Sequence, residues 1–157
     1  MPHAIFLIVG DTLEVAKAYD YYMPKDAKRL MLVDTFRDEV EETLYLAKNL
    51  KEKLEGIRLD TPSERGGVTP GLVKELRFRL DMEGYSHVNI FVSGGLYPEK
   101  ILALKGAGAD SFGVGSFISA ASPIDMTMDL KEINGKPVAK RGRLPGLTKT
   151  DRLEKIT

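Results

Sequence analysis

Four times along this chain a short apolar run stops at a polar or glycine turn and gives way to helical periodicity. Residues 29–33 end in Asp34-Thr35, residues 56–59 in Asp60-Thr61, residues 88–92 in Ser93-Gly94-Gly95, and residues 110–114 in the turn Gly113-Val114-Gly115-Ser116. Runs this short and this uniformly apolar read as strands of a buried parallel sheet. Between them, Val40, Leu44, Ala47 and Leu50 recur at three- and four-residue spacing within residues 35–53, with Leu54 continuing the spacing just beyond. Leu72, Val73, Leu76 and Leu80 do the same within residues 69–83, where Pro70 falls in the first turn, and Pro98 opens residues 98–106. These are amphipathic helices with proline where a helix tolerates it. Unbroken alternation with right-handed crossovers gives a parallel sheet with its helices outside. Four such units are about half of a closed eight-fold barrel. The expected fold class is therefore α/β, a partial (β/α) barrel of parallel strands with outer helices.

The two ends leave this rhythm. Residues 125–131 alternate apolar and polar, Asn134-Gly135 is a hairpin-turn signal, and residues 137–143 return as a second strand, so a C-terminal β-hairpin is expected. Residues 4–9 are apolar without a period and read equally as strand or helix, whereas residues 13–22 look helical and stop before Pro24. With 157 residues, 43% of them hydrophobic, the chain has material for one globular domain, residues 1–157.

Charge and composition remove several classes of function. Lys and Arg number 23, as do Asp and Glu, so no overall charge recruits nucleic acid or a membrane, and an anion site has to be local. Without cysteine there is no disulfide, thiolate metal site or catalytic thiol. No basic leader precedes the apolar residues 4–9, and that run is too short to span a bilayer, so a soluble cytoplasmic protein is expected. Glutamine is missing, asparagine occurs only at Asn49, Asn89 and Asn134, and Glu, Lys and Arg are frequent. That composition is the one found in thermophile proteins. A thermal midpoint above the mesophilic range is expected.

The candidate chemistry lies at the carboxyl ends of the strands. Glycine lets a backbone approach an anion closely, and the N–H groups that open the following helix point at it. Ser93, Gly94 and Gly95, with Gly113, Gly115 and Ser116, therefore read as a paired phosphate cradle. Asp34 and Asp60 would stand on the same rim, where a carboxylate could hold ribose hydroxyls, bind Mg²⁺ through water, or stabilise a positive sugar-like transition state. They could also do no more than cap the next helix. Arg58 precedes Asp60 by two residues and faces the same way. It needs an anion, either a ligand or a buried acid. The polar loop of residues 62–67 is placed to cover the rim, with Arg65 as a phosphate or pyrophosphate contact or as part of a solvated loop. His3 has no neighbouring acid in the sequence, His87 is isolated, and no protein metal site is expected. Tyr19, Tyr21 and Tyr22 read as packing, and the basic residues 140–143 as a solvated strand face.

Taken in order, MPHA, LVDTFRDE, IRLDTPSERGGVTP, FVSGGLYPEKI and GADSFGVGSFISAASPIDMTMDLKEINGKPVAKRGRLPG resemble nicotinate phosphoribosyltransferase, of the irregular α/β-barrel branch related to the quinolinate and nicotinamide enzymes. The resemblance covers essentially the whole chain. It implies formation of nicotinate mononucleotide and pyrophosphate from nicotinate and phosphoribosyl pyrophosphate (PRPP), with Mg²⁺ accompanying PRPP and with ATP hydrolysis, in NAD salvage. It assigns the 5′-phosphate to Ser93, Gly94 and Gly95, completed by Gly113, Gly115 and Ser116. Asp60 would hold the ribose hydroxyls or Mg²⁺ with support from Asp34, and Arg58 would face the nicotinate carboxylate or the pyrophosphate. His3 resembles the histidine that ATP phosphorylates, which in the family follows a Gly-Thr pair that is missing here, where the sequence begins at Met1. Members of the family are more than twice this long. The chain therefore resembles their C-terminal barrel half without the N-terminal domain, and a homo-oligomer or association with the missing N-terminal half is expected. A quinolinate phosphoribosyltransferase-like enzyme, or a non-catalytic fragment or subunit that keeps only the phosphate half-site, are the alternatives.

Overall fold

The computed structural model describes residues 1–152, which open on two helices, α1 (His3–Val9) and α2 (Thr12–Tyr22). The apolar run that the sequence leaves open between strand and helix is therefore helical. Gly10 and Asp11 explain how two helices fit so close together. Gly10 takes a left-handed φ of 85° and returns its amide to Phe6 O, ending α1, while the Asp11 carboxylate accepts from the amide of Glu14 and starts α2.

Four strands follow: β1 (Leu30–Leu32), β2 (Gly56–Leu59), β3 (Asn89–Ser93) and β4 (Ser111–Gly113). They form one parallel sheet in the order β1-β2-β3-β4. Sequential order is the order of a β/α barrel, whereas an open doubly wound sheet reverses direction at its centre. The crossovers carry α3 (Glu39–Leu50), α4 (Pro70–Met82) and α5 (Pro98–Gly106), and a four-residue helix, α6 (Ser116–Ser119), follows β4. The fold class is thus α/β, as expected. The sequence reading starts the first crossover helix at residue 35, but α3 begins at Glu39, because the Asp38 carboxylate accepts from the amides of Val40 and Glu41. Residues 34–38 are left as a loop at the carboxyl rim.

The register separates the two faces of the sheet. Met31, Ile57 and Ile90 align, as do Leu59, Val92 and Phe112, and this face packs on Leu44, Ala47, Val73, Leu76, Leu80 and Leu104 from the helices. Burying each such side chain contributes roughly 1.5–3 kcal/mol, which makes this layer the core. On the opposite face Leu32, Arg58, Phe91 and Ser111 align, followed by Ser93 beside Gly113. That is the face a barrel turns inward. Phe6 of α1 and Val15 of α2 cover it at Leu32, so the amino-terminal helix lies against the inner face of β1.

The described residues from Ser122 onward form a second compact unit. Its hairpin, β5 (Glu132–Ile133) and β6 (Lys136–Pro137), turns at Asn134 and Gly135, both at positive φ. The turn stands where the sequence places it, but each strand has two residues instead of extending over 125–131 and 137–143. The cause is visible in Ile124, Met126, Met128 and Leu130, which are 83%, 83%, 99% and 64% exposed. Alternation specifies a strand only where something buries its apolar side. No helix among the described residues is long and apolar enough to cross a membrane.

Candidate functional site

At the carboxyl end of β3 and β4 the two glycine turns face one cavity of about 470 Å³. Arg58, Ser93, Gly94, Gly95, Gly113, Gly115 and Ser116 line it, so seven residues picked out in the sequence meet in one place, joined by Phe91 and Val114. Gly94 (φ 88°) and Gly95 (φ 56°) are both in the left-handed region. At Gly94 the need is also steric, since a Cβ would stand 2.8 Å from Asp60 Oδ1. At Gly113 a Cβ would meet the Phe91 ring at 3.0 Å. A Cβ on Gly95, by contrast, would meet nothing within 4 Å, so this backbone opens onto free space. Among the described residues, the amides of Gly94, Gly95, Gly115 and Ser116 make no turn or loop hydrogen bond to a backbone carbonyl. Unspent donors lining a small cavity are what an anion needs.

Arg58 ties the cradle to the carboxylates. Its Nε donates to Ser93 Oγ at 2.8 Å, its Nη2 to Asp60 Oδ2 at 2.9 Å, and its guanidinium lies 6.0 Å from the Phe91 ring centroid. Of the two alternatives open for Arg58 in the sequence, the structure shows the pairing with an acid, and the side chain also lines the cavity. Asp60 does not cap the next helix; Thr69 does, by accepting from the amide of Leu72. Asp34 does not cap α3 either, because Asp38 holds that position. The bland explanation for both rim carboxylates fails.

His3 is the clearest correction. No acid neighbours it in sequence, yet its Nε2 lies 3.1 Å from Asp34 Oδ1, and the Asp34 side chain is 1% exposed against 39% for His3. The contact spans 31 residues and depends on α1 lying against β1, which no local pattern announces. With Nε2 donating to the carboxylate, the neutral ring carries its lone pair on Nδ1. Asp34 Oδ2 is buried without a hydrogen-bond partner, as is Thr35 Oγ1 next to it.

Arg65 is not among the residues lining the cavity. Its Nη2 donates to Glu39 Oε2 at 3.0 Å and to Asp38 Oδ2 at 3.3 Å, at the start of α3. Glu39, nearly buried, also accepts from Thr61 Oγ1 at 2.8 Å. Deeper in the same helix the fully buried Glu42 accepts at both carboxylate oxygens from Arg37 Nη1, and that guanidinium lies 4.8 Å from the Tyr45 ring centroid. Phe91, Glu39 and Thr61 were missed from the sequence. Phe91 was within reach, since it stands two residues before Ser93 on one strand face. Glu39 was signalled only faintly, as one of two acids, with Glu42, on the buried side of the helix.

A sequential parallel sheet with outer helices and paired glycine turns at its carboxyl rim is the architecture of a β/α-barrel protein. Residues 1–129 match the family described as Quinolinate phosphoribosyl transferase, C-terminal domain, and the chain belongs to that family. The crystal structure of nicotinate-nucleotide pyrophosphorylase from Pyrococcus furiosus is similar with a TM-score of 0.77 and 45% identity, over 94% of this chain and 38% of that one. Nicotinate phosphoribosyltransferase pncB1 of Mycobacterium tuberculosis is 34% identical over 114 residues, which is 71% of this chain and 24% of that protein. The pncB2 protein of the same organism is 35% identical over 115 residues, again 24% of its length. This chain spans about a quarter of those curated relatives. The family and these relatives agree on a phosphoribosyltransferase and differ on the pyridine acid.

Proposed function

We propose that this chain carries the phosphoribosyl half of a nicotinate phosphoribosyltransferase, which joins nicotinate to PRPP with release of pyrophosphate. The observation that carries the reading is the cavity shared by the two glycine turns and Arg58, the only cationic side chain lining it among the described residues. In this reading the open amides around Gly95 and Ser116 receive the 5′-phosphate. Phe91 and Arg58 offer an aromatic face and one guanidinium, which suits a flat ring with one carboxylate. The pyridine nitrogen attacks the anomeric carbon as its bond to pyrophosphate breaks, and the positive charge that develops on the sugar falls near Asp60. Because Arg58 grips Asp60 and Ser93 together, that carboxylate has a fixed place before substrate arrives.

Mg²⁺ fits as a companion of PRPP. Among the described residues no group of three His, Cys, Asp or Glu could hold a metal ion, whereas the buried Asp34 Oδ2 lacks a partner and Asp60 faces the cradle. Mg²⁺ commonly binds through one or two carboxylates plus substrate phosphates; Asp34 and Asp60 would supply the carboxylates, and the ion would supply positive charge for the leaving pyrophosphate. For ATP coupling, what supports His3 is its bond to Asp34. That bond orients Nδ1 as the nucleophile that would take the γ-phosphoryl group while ADP departs.

A quinolinate-using enzyme is the second reading, favoured by the name of the family that residues 1–129 match. Quinolinate carries a second carboxylate and calls for a denser set of cations than Arg58 alone. A side-by-side assay of the chain, alone and with the upstream part of a relative, decides between them. Nicotinate mononucleotide formed from nicotinate, with ADP release and without CO₂ release from quinolinate, supports the proposal. CO₂ and mononucleotide from quinolinate alone would overturn it.

A further inference from the structure

Arg65 and Thr61 belong to the β2–α4 loop that begins at Asp60, and both donate to a single carboxylate at the start of α3, that of Glu39. Glu39 is 2% exposed, and each of its two carboxylate oxygens has one of these donors. Its own helix start is anchored separately: Asp38 caps α3, and Thr43 Oγ1 donates to Glu39 O at 2.7 Å. The acceptor is therefore fixed, and the loop hangs from it. Within the loop, Arg65 N and Gly67 N both donate to Pro62 O, and Gly66 N to Ser63 O, so residues 62–67 form one turn, which among the described residues is tied to the start of α3 by the bonds to Glu39 and by the longer one from Arg65 to Asp38. The other rim carboxylate, Asp34, stands in the loop immediately before Asp38 and Glu39.

We propose that Glu39 is a positioning residue: by holding Thr61 and Arg65 it fixes the Asp60 loop against the Asp34 loop, setting the spacing at which the two carboxylates meet the pyrophosphate end of PRPP. Arg65 acts here through Glu39 and not as a phosphate ligand. The inference rests on the phosphoribosyl reading for its ligand, but the coupling of the two loops does not.

Three variants test it: Glu39→Gln, which turns an amide N–H toward the Arg65 guanidinium or deprives Thr61 of its acceptor; Thr61→Val, which removes one donor at nearly constant volume; and Arg65→Met. Hydrogen exchange is read at the amides of Arg65, Gly66 and Gly67, with Ile90 and Val92 in β3 as internal controls. Titration calorimetry with Mg²⁺ compares PRPP with ribose 5-phosphate. We expect exchange in the loop to rise about tenfold or more, the scale of one lost hydrogen bond to a charged group, with β3 unchanged. PRPP affinity falls by a similar factor while ribose 5-phosphate binding, which depends on the glycine cradle, stays the same. Unchanged loop exchange in all three variants overturns the proposal. So does a parallel loss of both ligands with faster exchange in β3, since that is general loosening. A wild-type chain that binds neither ligand breaks the phosphoribosyl reading and the ligand half of this inference, and loop exchange then decides alone whether Glu39 couples the loops.

Discussion

The rim of this sheet has two halves built by different means. On the β1–β2 side, each of the candidate groups His3, Asp60, Arg65 and Thr61 is a side chain held by another side chain: His3 by Asp34, Asp60 by Arg58, Arg65 and Thr61 by Glu39. On the β3–β4 side the candidate surface is bare backbone at Gly94, Gly95 and Gly115, and a Cβ at Gly95 or Gly115 would meet nothing within 4 Å. The difference teaches where each half is vulnerable. A side-chain site tolerates loss of one member by degrees, whereas a backbone site fails when anything fills it.

The largest effect should come from filling the backbone half. Gly95→Asp places a carboxylate where the phosphate is proposed to sit, and two like charges about 4 Å apart repel by about 4 kcal/mol at an effective dielectric of 20, on the order of a thousandfold in affinity. Calorimetry with ribose 5-phosphate checks this, and normal binding by a folded Gly95→Asp chain would remove the cradle assignment. Next is the side-chain half. Asp60→Asn keeps shape and loses charge, so turnover of the active assembly should fall about a hundredfold and Mg²⁺-dependent PRPP affinity about tenfold while ribose 5-phosphate binding changes little, a split that steady-state kinetics and calorimetry resolve.

Gly94 is where the halves touch, and it gives the third prediction. Gly94→Ala combines a left-handed backbone with a Cβ 2.8 Å from Asp60 Oδ1, so it should lower stability by about 1–3 kcal/mol and displace Asp60 as well. A thermal melt and the PRPP affinity should both shift. A melt that shifts alone would show the two halves to be uncoupled.

The smallest effect lies off the rim and serves as its control. Hydrogen bonds from Lys53 and then Arg29 hold the Asp20 carboxyl below its ordinary value of 3.8. A lowered carboxyl stabilises the fold above its unfolded value and loses that contribution as pH falls through its folded one. The difference in thermal midpoint between the wild type and Asp20→Asn should therefore hold steady above about pH 5 and close below pH 3.8, with phosphate binding unaffected at neutral pH.

Much of this was legible in the order of the residues. Gly56–Leu59 and Pro98–Gly106 stand at the boundaries their patterns imply, and Asn134-Gly135 turns where it should. Local chemistry is sufficient for such features: apolar period, a proline at a helix start, a glycine turn. The seven residues that meet at the cavity were legible for a related reason, because in a sequential parallel sheet every strand delivers its carboxyl end to the same rim. Topology then does the gathering, and the sequence needs only to mark each strand end.

What the tertiary structure alone decided are the pairings between elements distant in sequence. His3 meets Asp34 because Phe6 docks α1 onto Leu32, and Arg65 turns to Asp38 and Glu39 because two consecutive loops lie side by side. The same holds in the negative for residues 125–131, whose alternation is clear in the sequence and whose strand does not form. A period fixes which side of an element is apolar. Only packing fixes what that side, or a charge beside it, finds across the gap, because that energy depends on a partner the local sequence does not contain.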